Sequence, residues 1–348
     1  MAMNSETAGK EPNVVSTDAK HSTGTSSNAG TGESSAKKKA QTTIAAIVML
    51  LCGLLGLVIL FYPVVSTQLN NYEQSKLARQ FGADAAQADP AVVAAALDAA
   101  HAYNDSLENG PLQDPWTGGD STKDPAYQAY EKLLGEYPAM AQISIPAISV
   151  NLPVYHGTSD ATLLKGVGHL YGTALPVGGL GTRSVLTAHS GIQKSTFFDN
   201  LEKVKKGDAI YVRNIGETLK YQVRDTEIIR PAEIDRIQPI PDRDLITLVT
   251  CTPYGINTHR LLVTAERVPM EPGEADRAFA GDGIVWQWWM KLAIGVLVVI
   301  LLLTGWLIIR ILRARKFAKK TAGADAAKSV EPSDTEASLS TSAAEESQ

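Results

Sequence analysis

The sequence predicts a mainly β globular domain held between two membrane-crossing helices, and three observations carry that reading. Beyond Tyr137, short runs rich in Val, Ile, Leu, Thr and Tyr recur, each bounded by Gly, Pro or Asp, and strands at such regular intervals point to a barrel or a sandwich. Two apolar stretches, Thr43 to Val65 and Leu292 to Ile309, contain no charged residue, and roughly 17 to 25 residues suffice to span a bilayer at helical rise. Between the first of these and the strands, apolar residues fall at helical rather than alternating spacing, which predicts an N-terminal helical subdomain.

Residues 1–42 are rich in Ser, Thr, Gly, Ala and Lys without apolar periodicity, the composition of a disordered tail. The stretch 43–65 is read as an uncleaved anchor. Its apolar core exceeds the roughly 7 to 15 residues of a signal peptide, and no small-residue cleavage site follows it. Residues 66–109 form the helical subdomain, with Val92, Val93, Ala96, Leu97 and Ala100 at helical spacing and Pro90 opening a helix behind Asp89 as N-cap. Gly110, Pro111, Pro115, Gly118 and Gly119 break the pattern, so 110–123 is a loop. The β domain is assigned to 124–270, with strands at Gln142–Ile145, Val150–Tyr155, Ser184–His189, Ala209–Val212, Leu219–Val223, Leu245–Cys251 and Arg260–Val268. A juxtamembrane linker (271–291), a second span (292–309) and a basic, then disordered tail (310–348) complete the chain.

Charge fixes the expected orientation. Lys37, Lys38 and Lys39 precede the first span, and Arg310, Arg313, Arg315, Lys316, Lys319 and Lys320 follow the second, which assigns both termini to the cytoplasm. Trp286, Trp288 and Trp289 suit the headgroup layer before the second span. The segment from Ser66 to Trp286 then faces outward. A net charge of −5 over 348 residues leaves no electrostatic footprint for nucleic acid.

This topology makes the two cysteines informative. Cys52 lies in the first span as a small apolar residue, so Cys251 is alone on the outward side and no intramolecular disulfide can form there. A lone cysteine of this kind is a packed hydrophobe, a partner for another chain, or a reactive thiol. Its neighbourhood favours the last. Leu245-Ile-Thr-Leu-Val-Thr-Cys251 reads as a buried strand ending at the thiol, and after a short turn the next strand opens at Arg260. Val185-Leu-Thr-Ala-His189 places an imidazole at a comparable strand end. A thiolate attacks an amide carbonyl, an imidazolium donates a proton to the departing amine, and a guanidinium stabilises the oxyanion. Nearby cations also lower a thiol pKa. Each residue has a bland reading too: a buried Cys, a His satisfied at a turn, an Arg on a solvated face. His156 and His169 are read as structural, in loop and turn positions. His259 would point away from Arg260 on an extended strand. No ligand-type spacing supports a zinc site.

Thr247-Leu-Val-Thr-Cys251-Thr-Pro-Tyr-Gly-Ile-Asn-Thr-His-Arg260-Leu-Leu-Val closely resembles the signature of the sortase family, and its continuation resembles the class C, pilin-polymerising branch. Leu152-Pro-Val-Tyr-His-Gly-Thr158, Gly166-Val-Gly-His-Leu-Tyr-Gly-Thr173, Pro176-Val-Gly-Gly179 and Leu186-Thr-Ala-His-Ser-Gly191 resemble further sortase segments in the expected order. The chain departs from common class C usage at Ala188 and Ser190, beside the histidine, and at Thr264-Ala265.

The resemblance implies a sortase-type eight-stranded β-barrel. It implies a transpeptidase in which Cys251 is the nucleophile, His189 the general acid/base and Arg260 the oxyanion and substrate stabiliser. Such an enzyme cleaves an LPxTG-like sorting signal between Thr and Gly and passes the thioacyl group to a lysine amine of a pilin subunit. The implied partners are pilin subunits and membrane lipid, at the plasma membrane, and no cofactor or metal is called for. Asp114-Pro115-Trp116 resembles the lid of that branch, with Asp114 pairing with Arg260 and Trp116 covering Cys251. Pro115 confines the residue before it to extended conformations. The pair is expected to be exposed and worth only about 0 to 1 kcal/mol. Two rivals stand beside this reading: a housekeeping or hydrolytic thiol enzyme, and a non-enzymatic scaffold or adhesin in which Cys251 is merely packed.

Overall fold

The computed structural model describes residues 31–108, 110–116, 123–192, 194–281 and 285–328. The expected tails at 1–30 and 329–348, and parts of the 110–123 and 271–291 segments, lie outside the described residues. The chain divides into two compact units, Met1–Val58 and Ile59–Gln348.

Helix α1 (Thr31–Ala85) begins inside the expected tail and continues beyond the first apolar stretch. Ala, Lys, Gln and Leu are good helix formers, so neither edge of that stretch stops a helix. From Val64 onward α1 buries one stripe, Val64, Thr67, Asn71, Ser75, Ala78 and Phe81, at the three- and four-residue steps of a single face. Ser75 donates to the Asn151 carbonyl at 3.2 Å, and Phe81 meets Tyr137 edge-on with ring centroids 6.0 Å apart. Helix α2 (Pro90–Ser106) starts as its sequence dictates: Asp89 accepts the Ala91 N–H and Pro90 opens the first turn. Asn104 at its end exchanges hydrogen bonds with the Leu175 backbone at 3.2 and 2.7 Å. Helix α3 (Pro125–Tyr130) repeats the same start with Asp124 as cap.

Eight strands follow, with the short helix α4 (Asp160–Leu163) between the second and third. They are β1 (Ala141–Ile145), β2 (Val150–His156), β3 (Val167–His169), β4 (Thr182–Thr187), β5 (Ala209–Arg213), β6 (Thr218–Ile229), β7 (Asp244–Thr252) and β8 (His259–Arg267). They close into a barrel in the order β1-β2-β3-β4-β7-β8-β6-β5. Strand β3 is absent from the sequence-predicted set, because three residues around Gly168 are too few to display a period. His156 and His169, expected in loops or turns, are strand residues paired across β2 and β3. Their roles are packing and hydrogen bonding: His156 Nε2 lies 2.6 Å from the Leu133 carbonyl, and buried His169 bridges the Tyr130 hydroxyl and the Ala174 carbonyl, each at 2.8 Å.

Strand β7 positions the site. It runs parallel to β4 and antiparallel to β8, and all but its last residue are buried. A strand covered on both faces reads as a continuous apolar run rather than an alternating one. One face, carrying Ile246 and Leu248, joins the main core inside the barrel with Ile143, Val154, Ile210 and Val263. The opposite face carries Val249, which packs with Val185, Leu262, Leu170, Ile229, Ile234 and Ile237 in a second cluster, and Leu112 and Trp116 from the loop before α3 cover that cluster.

Helix α5 (Glu274–Phe279) docks part of the expected linker onto the barrel, where Ser144 donates to the Ala278 carbonyl at 2.6 Å and Asn151 to that of Phe279 at 3.2 Å. Helix α6 (Trp288–Lys328) carries the second apolar stretch and continues through the basic segment. Among the described residues, Ile47–Ala85 and Trp288–Ala314 are long and apolar enough to cross a membrane.

Candidate active site

Cys251 and Arg260 are direct register partners across β7 and β8. Side chains alternate along a strand, so Cys251 shares a face with Val249, and Arg260 with Leu262. Both therefore point to the second cluster, outside the barrel interior. β4 pairs with β7 in parallel up to Thr187 opposite Val249, and His189 follows two residues later. The histidine thus lies just past its strand, where Ser184–His189 was expected to be strand throughout.

Hydroxyl groups fasten this junction. Thr187 donates to the Val249 carbonyl at 3.0 Å, Thr250 to that of Ala188 at 2.7 Å, and Ser190 to that of Cys251 at 2.5 Å. Ser190, one of the two departures beside the histidine, therefore joins the histidine turn to the cysteine backbone. Apart from its place beside His189, nothing in the sequence signals this contact.

The 110–116 segment fills the site. Arg260 Nε donates to Asp114 Oδ1 at 2.7 Å and Nη2 to Oδ2 at 2.9 Å, a two-pronged pair whose side chains are only 5% and 3% exposed. The expectation of an exposed pair is therefore corrected: Trp116 and the second cluster exclude water from it. The guanidinium also lies over the Trp116 ring, 4.6 Å from its centroid, and Nη1 donates to the backbone carbonyls of Asn257 and His259 at 3.3 and 3.2 Å. The Trp116 indole N–H donates to His189 Nδ1 at 3.3 Å. Trp116, expected to cover Cys251, thus engages the histidine and the arginine that flank it. An acceptor at Nδ1 leaves the ring proton of a neutral imidazole on Nε2.

Electrostatically the site is at rest. Burial pushes the Cys251 thiol above its ordinary value, Arg260 pulls it down by less, and Asp114 adds to the rise. Nearby cations were expected to lower this pKa, but desolvation outweighs them while Asp114 neutralises Arg260. Burial also lowers the His189 pKa, partly opposed by Asp160. Thiol and imidazole are thus both uncharged near neutral pH. Cys251 is buried and Cys52 exposed, and neither is in a disulfide. Among the described residues no cluster of His, Cys, Asp and Glu is arranged to hold a metal ion.

A family model described as the sortase domain matches residues 143–268. Among solved structures, sortase C-1 from Actinomyces oris is 53% identical, with 52% of this chain and 100% of that one aligned at a TM-score of 0.51. Sortase A from Corynebacterium diphtheriae is 45% identical over 60% of this chain and 97% of its own, at 0.53. Sortase C from Streptococcus pneumoniae, whose description refers to pilin substrate specificity, is 35% identical over 56% and 97%, at 0.52. The chain spans 53% to 62% of the length of curated relatives named sortase A, among them one from Listeria monocytogenes that is 33% identical over 36% of this chain and 55% of its own.

Proposed function

The chain belongs to the sortase family, and from that premise we propose that it is a membrane-anchored cysteine transpeptidase of the class C, pilin-polymerising type. The observation that carries the reading is the facing pair Cys251 and Arg260, with His189 joined to Arg260 through the Trp116 ring that both contact. In the first step Cys251 passes its proton to His189, and the thiolate attacks the Thr carbonyl carbon of an LPxTG-like signal. Arg260 donates N–H groups to the resulting oxyanion. The C–N bond to Gly breaks as His189 returns the proton to the departing amine, leaving a thioester. A pilin lysine amine then attacks that thioester, gives a proton to His189, and displaces the Cys251 thiolate. One amide is exchanged for another without a cofactor. Incubation with an LPxTG-type peptide and a lysine-bearing pilin should give an isopeptide-linked product; hydrolysis alone would favour the hydrolytic rival, and the absence of either reaction would favour the packed-cysteine one.

The Asp114-Pro115-Trp116 segment is proposed to act as a lid. Its carboxylate takes the two donors that an oxyanion would use, and its indole takes His189. Because the pair is buried, opening the lid returns both charges to water, and the hydration regained offsets much of the attraction lost. Asp114→Ala with Trp116→Ala is expected to raise the iodoacetamide alkylation rate of Cys251 about tenfold or more near neutral pH. The resting thiol titrates above its ordinary value, so alkylation climbs only at alkaline pH, and relieving burial and removing Asp114 moves that climb to lower pH. An unchanged rate and an unmoved profile would sink the lid.

The proposed orientation has the barrel outside and both tails in the cytoplasm, with the two apolar helices crossing the plasma membrane. Protease added to sealed protoplasts should leave tags at both termini intact while cutting the outward domain. Loss of either tag from sealed cells would contradict this orientation.

A further inference from the structure

The residues beyond His189 fold back onto its turn: the Phe198 N–H donates to the His189 carbonyl at 3.1 Å, and the Gly191 N–H donates to Asp199 Oδ1 at 2.8 Å. Gly191 has φ +77°, and a Cβ there would stand 2.9 Å from the Gly255 nitrogen. The turn is therefore pressed against the β7–β8 loop in a conformation that glycine alone adopts freely.

The same 190–199 stretch is gripped from two more directions, each from chain next to an apolar helix segment. On α1, Asn71 Oδ1 accepts both the Thr196 N–H at 3.0 Å and the Thr196 hydroxyl at 3.2 Å, while Asn70 donates to the Lys194 carbonyl at 2.8 Å. Just before α6, Gln287 donates its side-chain N–H to Asp199 Oδ2 at 3.4 Å. Gln68 donates to the Val285 carbonyl at 2.8 Å, tying the two juxtamembrane stretches together. Asn71, Thr196, Asp199 and Gln287 are all buried. Leaving a buried donor or acceptor without its partner costs the full desolvation penalty of that group, so each of these contacts resists release of the turn.

We propose that the chain segments adjoining the two apolar helices clamp the histidine turn, and that Asn71, Asp199 and Gln287 are positioning residues holding His189 in place at the site; the positioning role rests on the reading of His189 as the acid–base group. None of the three touches the reacting atoms. They act by removing alternative positions for the turn, and misplacement of an acid–base group by about 1 Å can cost up to roughly 10²-fold in rate.

The test uses the full-length protein in detergent micelles, with hydrogen–deuterium exchange of peptides covering 190–199 and steady-state cleavage of an LPxTG-type peptide. Asn71→Leu is close in volume and lacks the acceptor; Asn71→Asp keeps it. In Asn71→Leu, exchange across 190–199 should quicken about tenfold while β7 and β8 stay protected. Its kcat should fall about tenfold with KM within about twofold. Asn71→Asp should restore both. Should Asn71→Leu fail to fold, Gln287→Ala, on the other arm, carries the same expectation. Unchanged exchange at 190–199 overturns the clamp, and faster exchange with unaltered kcat overturns the positioning role. If the wild type cleaves no peptide, the proposed function fails separately, and the exchange data still decide for or against the clamp.

Discussion

Cys251→Ala is expected to eliminate the thioacyl intermediate and to lower sorting-signal cleavage by about 10⁴-fold or more, because no other group in the site replaces the nucleophile. The fold should survive. Cys251 is the penultimate residue of β7, held by backbone pairing to β8 and by the Ser190 hydroxyl on its carbonyl, and none of these bonds uses the sulfur. A stability loss on the order of 1 kcal/mol is expected from deleting one buried atom. Activity assays beside thermal melts check both halves, and appreciable turnover in the folded variant would remove Cys251 from the mechanism.

Arg260→Lys has the second-largest expected effect, with opposite signs in two assays. Lysine keeps the charge but loses the planar fork that reaches both Asp114 oxygens and lies over Trp116. Turnover should fall about 10²-fold or more, the scale of losing an oxyanion donor. Alkylation of Cys251 should rise at the same time, because the lid loses its two-pronged anchor. A purely structural arginine would instead leave kcat near normal, and an arginine without a role in closure would leave alkylation unchanged.

The sequence pointed to a candidate site, although each of its three residue types also had a bland structural use. Cys251 stood alone outside the spans at the end of an apolar strand, and His189 and Arg260 bordered turns, so a common site could be read from three strand ends. Seven of the eight strands were visible because each carries several β-branched or apolar residues between turn signals; β3, three residues with glycine at its centre, has only Val167 of that kind. Burial was less legible. The Asp114–Arg260 pair is enclosed by Trp116 and by a cluster drawn from six separate chain segments, a tertiary environment that no local pattern encodes. The same enclosure reversed the expected pKa direction of Cys251. Asn71, Asp199 and Gln287 were invisible for a related reason: each is an ordinary polar residue in sequence, and the Asn71–Thr196 and Gln287–Asp199 contacts join residues far apart along the chain.

Intact-mass spectrometry of the Asp114→Ala/Trp116→Ala protein, quenched in acid during turnover of an LPxTG-type peptide, tests the proposed thioester route most directly. The expected result is a mass increase equal to the acyl fragment ending at Thr, mapped to Cys251 and lost when a lysine amine is added before the quench. Cleavage of the peptide with Cys251 unmodified, or an acyl group on any other residue, would contradict it.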